Sequence, residues 1–261
     1  MARPVTIITG ASAGIGAELA RIFARDGHEL VLIARREQTL HALADEIAQS
    51  GKLRPVVLAM DLGEADSAER IGEELTTRDL EAQYVVNNAG FGLLGPASEL
   101  PRDGQLAMVD LNVRALTELS VVFTASLAKH RGGILNVASV AGFLPGPGMA
   151  VYYATKAYVI SFSEALHREL KSRGVRVTLL CPGPVPTEFQ ARAGVPDHVG
   201  PSLLERDVRF VAEAAYRGLM AGRRMVVPGW PNWVVTVLPR FLPRGFVAWA
   251  MGRVQQRRFG P

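Results

Sequence analysis

Residues 4–16 read Pro4-Val5-Thr6-Ile7-Ile8-Thr9-Gly10-Ala11-Ser12-Ala13-Gly14-Ile15-Gly16. The first six are apolar and β-branched, and a glycine ends the run, which predicts a buried strand of a parallel sheet. Ile15, Leu19, Ile22 and Phe23 then recur at helical spacing. A strand, a glycine turn and a helix make a phosphate cradle. Glycines allow the tight turn and the close approach of backbone to a pyrophosphate, and the helix N-terminus favours negative charge. An ordinary strand-to-helix turn can also hold incidental glycines. Here they follow a strand and open a helix, which selects the dinucleotide-binding context. The chain is expected to be α/β.

Outward from this turn, residues 29–34 (ELVLIA) predict a second strand, and Arg35-Arg36 follow it. An acid near this point binds a ribose 2′-hydroxyl, whereas an arginine accommodates a 2′-phosphate. The missing acid favours NADP over NAD, against the plainer view of two solvated residues at a helix start. Residues 37–50 predict a helix and 54–59 a third strand. Asp61, with Leu62 beside it, could touch an adenine or cap the next helix, predicted at 67–77. Residues 84–86 predict a fourth strand running into Asn87-Asn88-Ala89-Gly90. An asparagine pair there could pin neighbouring strands. Residues 103–130 fit one long helix with Asn112 inside it, a residue that competes for backbone hydrogen bonds.

A fifth strand, 133–138, delivers Ser139, and a helix over 152–172 begins with Tyr152-Tyr153-Ala154-Thr155-Lys156. Tyr152 and Lys156, four apart, share a helix face. A cation within about 4–6 Å is expected to lower the phenol pKa and ready it for proton exchange. Ser139 adds a second hydroxyl to hold a carbonyl oxygen. Together these suit interconversion of an alcohol and a carbonyl, provided something else carries the hydride. Residues 175–180 predict the sixth strand. The proline-rich exit Cys181 to Thr187 leads to a mixed loop placed over the ligand crevice, with 188–204 as a substrate loop. A helix over 205–221 and a short strand at 225–227 follow.

The chain has 261 residues, a net charge of +4 and 48% hydrophobic content, ordinary for one globular domain. The single cysteine excludes an intrachain disulfide and disfavours a cysteine zinc site, so no metal is expected. The N-terminal apolar run is too short for a signal peptide. A cytoplasmic protein is therefore expected. No Asp or Glu follows Glu213, while eight arginines do. These are spread among tryptophans, leucines and valines without a nucleic-acid motif, so nucleic acid is not an expected partner. The segment 228–261 holds prolines at 231, 239 and 243, which argue against a spanning helix. Three readings stay open for it: a flap over an apolar pocket, a subunit interface, or a peripheral membrane contact through 230–261.

These pieces together resemble the short-chain dehydrogenase/reductase superfamily over nearly the whole chain. The resemblance rests on Thr9 to Gly16, Asp61-Leu62, Asn87 to Gly90, Asn112, Ser139, Tyr152-x-x-x-Lys156 and Pro182-Gly183. The family spacing selects Tyr152 over its rival Tyr153. It implies one Rossmann-like doubly wound domain, 1–261, with a seven-stranded parallel sheet. Tyr152 would be the general acid and base, Lys156 would lower its pKa and bind the nicotinamide ribose, and Ser139 would hold the substrate oxygen. Asn112 would hold a water in a proton relay. Gly10, Ser12, Ala13, Gly14, Ile15 and Gly16 would line the phosphates. Arg35, Arg36, Asp61, Leu62, Asn88, Ala89 and Gly90 would lie along the adenosine side, and Pro182, Gly183, Val185 and Thr187 at the nicotinamide end. Position 13 is alanine where some NADP-using members carry a basic residue, which leaves the 2′-phosphate to Arg35 and Arg36. The Phe91 to Gly95 and Val227 to Gly229 stretches look like a bacterial general-purpose subgroup, similar to ketoacyl and hydroxysteroid reductases. The expectation is an NADP(H)-dependent carbonyl reductase or alcohol dehydrogenase for an apolar small molecule, working as a homodimer or homotetramer. The alternative is a non-catalytic NADP-binding regulator or partner-binding module.

Overall fold

The structure, a computed structural model, describes residues 2–194 and 202–259. The N-terminal half runs β1 (Arg3–Thr9), α1 (Gly14–Arg25), β2 (Glu29–Ala34), α2 (Glu37–Gln49), β3 (Val56–Ala59), α3 (Ser67–Thr77) and β4 (Leu80–Asn87). Then come α4 (Arg102–Val109), α5 (Leu116–Val122), α6 (Thr124–Lys129), β5 (Gly133–Val137), α7 (Ala150–Glu169) and β6 (Arg176–Leu180). The chain ends with α8 (Glu188–Ala193), α9 (Val208–Met220), β7 (Met225–Val226), α10 (Trp230–Val237) and α11 (Arg244–Phe259).

The seven strands form one parallel sheet in the order β3-β2-β1-β4-β5-β6-β7. Successive side chains of a strand point to opposite faces. Ile8 therefore packs with Phe23 of α1, Leu40 of α2 and Leu219 of α9, while Ile7 packs on the other face with Ile71 of α3, Leu127 of α6 and Leu166 of α7. Helices cover both faces, as a doubly wound sheet requires. The strand order reverses between β1 and β4, and ligands of such sheets bind at the carboxyl ends beside that reversal.

The asparagines at the end of β4 pin the sheet there as expected. Asn87 Nδ2 donates to Asn136 Oδ1 of β5 at 2.9 Å and to Ser120 Oγ of α5 at 3.0 Å. Asn88 Nδ2 donates to the Thr9 carbonyl of β1 at 3.0 Å.

Three elements differ from the sequence reading. The fourth strand begins at Leu80 rather than 84, because Arg3 to Val5 of β1 pair with Leu80 to Ala82 before a register shift. The single helix expected over 103–130 is broken: a π turn, Asp110–Ala115, separates α4 from α5, and Phe123 separates α5 from α6. Asn112 sits in the π turn, where its side chain bonds to the loop after β4 instead of solvent. The hydroxyls of Thr117, Ser120 and Thr124 bond back to carbonyls four residues earlier, which bends helices. The crevice loop contains α8, capped by the Thr187 hydroxyl accepting from the Phe189 amide. Residues 195–201 of the expected 188–204 substrate loop lie outside the described residues.

Candidate active site

A cavity of about 800 Å³ opens over the carboxyl ends of the central strands. Nearly all of the site residues expected from sequence line it, and Gly16 and Asn112 stand immediately behind its wall.

The floor is the glycine turn. Gly10 and Gly14 adopt left-handed φ of 64° and 55°, which side chains strain to reach. Gly16 is fixed by space: a Cβ there would lie 2.4 Å from the Gly10 carbonyl oxygen and 2.5 Å from Asn88 Nδ2. Thr9 ties the turn to β4. Its hydroxyl donates to the Val86 carbonyl and accepts from the Asn88 and Ala89 amides, each at 3.0 Å. The N-terminus of α1 has no side-chain cap at Ala13 and no acid in its first turn. Its amides and dipole are thus left to an anion, so this cradle fits a dinucleotide pyrophosphate.

At the far end of β2 the two arginines part company. Arg36 is engaged by protein: it donates to Ser12 Oγ at 3.1 Å and to the Ser12 carbonyl at 3.1 Å, and pairs with Glu188 of α8 at 3.0 Å. Arg35 stands open, its side chain 69% exposed and its guanidinium 3.6 Å from Asp61. Asp61 in turn accepts from the Gly63 amide at 2.9 Å, and Leu62 is buried below it.

The opposite end holds the hydroxyls. Ser139 follows β5 in extended backbone; its Oγ accepts from the Ala141 amide at 3.1 Å and hydrogen-bonds the Tyr152 side chain. Tyr152 and Lys156 lie on the inner face of α7, both buried. Lys156 Nζ donates to the Val137 carbonyl at 2.9 Å and sits 5.8 Å from the centre of the Tyr152 ring. Burial pushes the ammonium pKa down to about 8. Burial also pushes the Tyr152 phenol above its ordinary value, and the Ser139 hydrogen bond only partly opposes this. The expected lowering of the tyrosine by Lys156 is therefore reversed. Desolvation of the phenolate outweighs a lysine that is itself desolvated and turned to a carbonyl.

Asn112 acts on the site through its neighbours. It accepts from the Phe91 amide at 3.1 Å, and its Nδ2 donates to the Phe91 carbonyl at 2.9 Å and to Thr155 Oγ1 at 3.2 Å. Thr155 donates to the Tyr152 carbonyl at 2.7 Å. The amide side chain thus clamps the β4 loop against α7, a task distinct from the water relay that the resemblance implied.

Beyond β6, Pro182, Gly183, Val185 and Thr187 line the wall next to Ser139. Gly183 is required by packing, since a Cβ would stand 2.2 Å from Asn232 Oδ1 of α10. Thr187 reaches back over the phosphate turn, 3.1 Å from where a Gly14 Cβ would be. Leu144, Met149, Phe189, Val235 and Met251 give the remaining wall its apolar character. Sequence reasoning missed these five, along with Thr155 and Glu188. Only Thr155 carried a signal, being a hydroxyl between the tyrosine and the lysine.

A family model described as short chain dehydrogenase matches residues 4–196. Sulfoacetaldehyde reductase 2 of Chromohalobacter salexigens is 35% identical over 206 residues, 78% of this chain and 81% of its own. A short-chain dehydrogenase from Sphingobium yanoikuyae in complex with NADPH matches in structure with a TM-score of 0.81 at 32% identity, covering 91% of this chain and 93% of the other. The bulky-bulky ketone specific alcohol dehydrogenase from Comamonas testosteroni matches with a TM-score of 0.76 at 30% identity, covering 92% and 93%.

Proposed function

The chain belongs to the short-chain dehydrogenase/reductase family, and from that premise we propose that it is an NADP(H)-dependent oxidoreductase. It interconverts a carbonyl and a secondary alcohol on an apolar small molecule, with Tyr152 as general acid and base. The observation that carries this is the convergence of Ser139, Tyr152 and Lys156 at one end of a cavity whose other end is an uncapped glycine turn. NADP(H), when bound, supplies or accepts the hydride, which no protein side chain can carry.

The chain's own residues handle binding and the proton. The Ser139 and Tyr152 hydroxyls bind the substrate oxygen. In reduction Tyr152 Oη gives its proton to that oxygen as negative charge develops there. Burial holds the phenol in its protonated form, the form that donates, while the Ser139 hydrogen bond opposes the upward shift. Donation leaves a phenolate, which the nearby Lys156 ammonium stabilises; in the reverse direction that phenolate takes the proton of the alcohol and returns to the phenol. The α1 N-terminus and the Gly10 to Gly16 turn hold the pyrophosphate, and Lys156 the nicotinamide ribose. Arg35, largely exposed and, among the described residues, paired only with Asp61 at 3.6 Å, takes a 2′-phosphate, and Arg36 fixes Ser12 beside it. The NADPH-bound relative supports this cofactor, and the apolar walls together with the bulky-ketone relative support an apolar, bulky substrate. The free, buried Cys181 suits a reducing cytoplasm, and the enzyme works there as a homodimer or homotetramer.

Fluorescence titration of wild type and Arg35→Ala with NADPH and NADH tests the cofactor. The expected result is an NADPH preference that falls at least about tenfold in the variant; a preference for NADH overturns it. Tyr152→Phe should keep NADPH binding and lose turnover of ketones by about a hundredfold or more. NADPH binding by wild type with no turnover across a broad panel of ketones and aldehydes would favour a binding module instead.

A further inference from the structure

The chain has three tryptophans, Trp230, Trp233 and Trp249, and all of them lie in the last two helices. They are exposed at 71%, 56% and 56%, and Phe241 between the helices at 79%. Large aromatics usually serve as core, and a cluster of them in water marks a contact surface.

Both helices are amphipathic in an inverted sense. The inner face of α10 buries Pro231, Asn232 and Thr236, and its outer face turns out Trp230, Trp233 and Val234 at i, i+3 and i+4. In α11, Val247 is buried and Met251 lines the cavity, while Phe246, Trp249 and Arg253 turn out at i, i+3 and i+7. The Phe246 and Trp249 rings stack at 5.9 Å, and the Arg253 guanidinium lies 5.0 Å from the Trp249 ring centre. The polar face that water would demand is replaced by aromatics and arginine. Arg240, Arg244 and Arg253 are exposed, and among the described residues none of them is ion-paired. No carboxylate side chain follows Glu213 anywhere in the chain.

We infer that this surface, residues 230–253, docks the protein on a lipid bilayer bearing anionic headgroups. Tryptophan and phenylalanine settle at the headgroup level, and arginines without competing acids are drawn to negative lipid. Charge complementarity favours lipid over a second copy of the chain. A two-fold contact would lay this acid-free basic face on itself and oppose like charges. No helix of the described residues is long and apolar enough to cross a membrane, so the segment lies on the surface. Val235 and Met251 line the cavity from the same two helices, so an apolar substrate dissolved in the bilayer would enter on the docked side. That last consequence rests on the proposed reductase activity; the docking itself does not.

Because every tryptophan is on this surface, tryptophan fluorescence, excited selectively over the five tyrosines, reports on it alone. The full-length protein is mixed at low salt with vesicles of phosphatidylcholine, with and without phosphatidylglycerol, some carrying brominated acyl chains. Binding to the anionic vesicles should shift tryptophan emission to shorter wavelength, with quenching by the brominated chains. Arg240→Glu/Arg244→Glu and Trp230→Ser/Trp233→Ser should each lower partitioning about tenfold or more. Thermal melts by circular dichroism establish that the variants fold. Absence of quenching, or equal binding to neutral and anionic vesicles, overturns the inference. So does a wild-type oligomer that these variants split into monomers without lipid, since the patch would then be a subunit contact. Ketone turnover, measured separately, decides the activity on its own.

Discussion

Lys156 is a buried ammonium whose observed acceptor is a main-chain carbonyl, with its pKa lowered to about 8. In the unfolded chain it titrates at its ordinary value of 10.5. Below pH 8 both states carry the proton and the burial cost is constant; between 8 and 10.5 the unfolded state binds more protons, so stability rises with pH. Lys156→Met should therefore stabilise the protein at pH 7. The shift corresponds to roughly 3 kcal/mol, and about 1 kcal/mol is returned through the lost hydrogen bond. Urea denaturation of both proteins should show the gain at pH 7 and its shrinkage by pH 10. The same variant should lose most activity, because the charge that supports the Tyr152 oxygen is gone. For wild type, kcat/KM with NADPH as the varied substrate reports groups of the free enzyme, and it should fall as pH rises through about 8. A flat profile to pH 9.5 would remove Lys156 from cofactor binding. The i, i+4 pairing of Tyr152 and Lys156 was legible from the sequence alone. The direction of the tyrosine shift was not, because it is set by desolvation from strands and loops far away in the chain.

At the scale of elements, the strand, turn and helix of residues 3–25 could be read locally, since glycine conformation, β-branching and helical period all agree there. Gly16 shows how little slack the turn has. Gly16→Ala would press a methyl onto the Gly10 carbonyl oxygen and Asn88 Nδ2, both backed by the sheet. The expected outcome is NADPH binding weaker by at least about tenfold and stability lower by about 1–3 kcal/mol. Isothermal titration and urea denaturation measure the two. The break in the long helix was not legible, because its cause lies outside the helix. Asn112 leaves regular α-geometry to bond Phe91, 21 residues earlier. π turns recur where a helix serves a functional site. Asn112→Ala would orphan the Phe91 amide and carbonyl in a part-buried place, a loss of about 2–4 kcal/mol. It should also reduce kcat, since Thr155 and the Tyr152 turn lose their clamp; unchanged turnover in a stable variant would confine Asn112 to structure.

Over the whole molecule, parallel strands could be counted from sequence but the cavity walls could not. Val235 and Met251 share a cavity with Tyr152 only because α10 and α11 fold back over the carboxyl edge of the sheet. The molecule has a second apolar surface of different chemistry. Val121 of α5 is 55% exposed, and Tyr158 of α7 lies beside it, bonding Thr117 at 3.0 Å and stacking on Phe162. Thr117 and Val121 share a helix face, and charges of both signs lie beside them: Arg114 pairs with Asp110 and Glu118. A two-fold contact can set such a mixed surface on itself with opposite charges matched. The C-terminal basic face cannot. The proposed homo-oligomer should therefore assemble through α5 and α7, leaving the tryptophan surface free. Val121→Arg should weaken self-association at least about tenfold by placing an unpaired charge in the contact, read by sedimentation velocity across protein concentrations. Its vesicle binding should persist at wild-type strength. If Val121→Arg leaves the oligomer intact while Arg240→Glu/Arg244→Glu dissolves it, the two surfaces have exchanged roles.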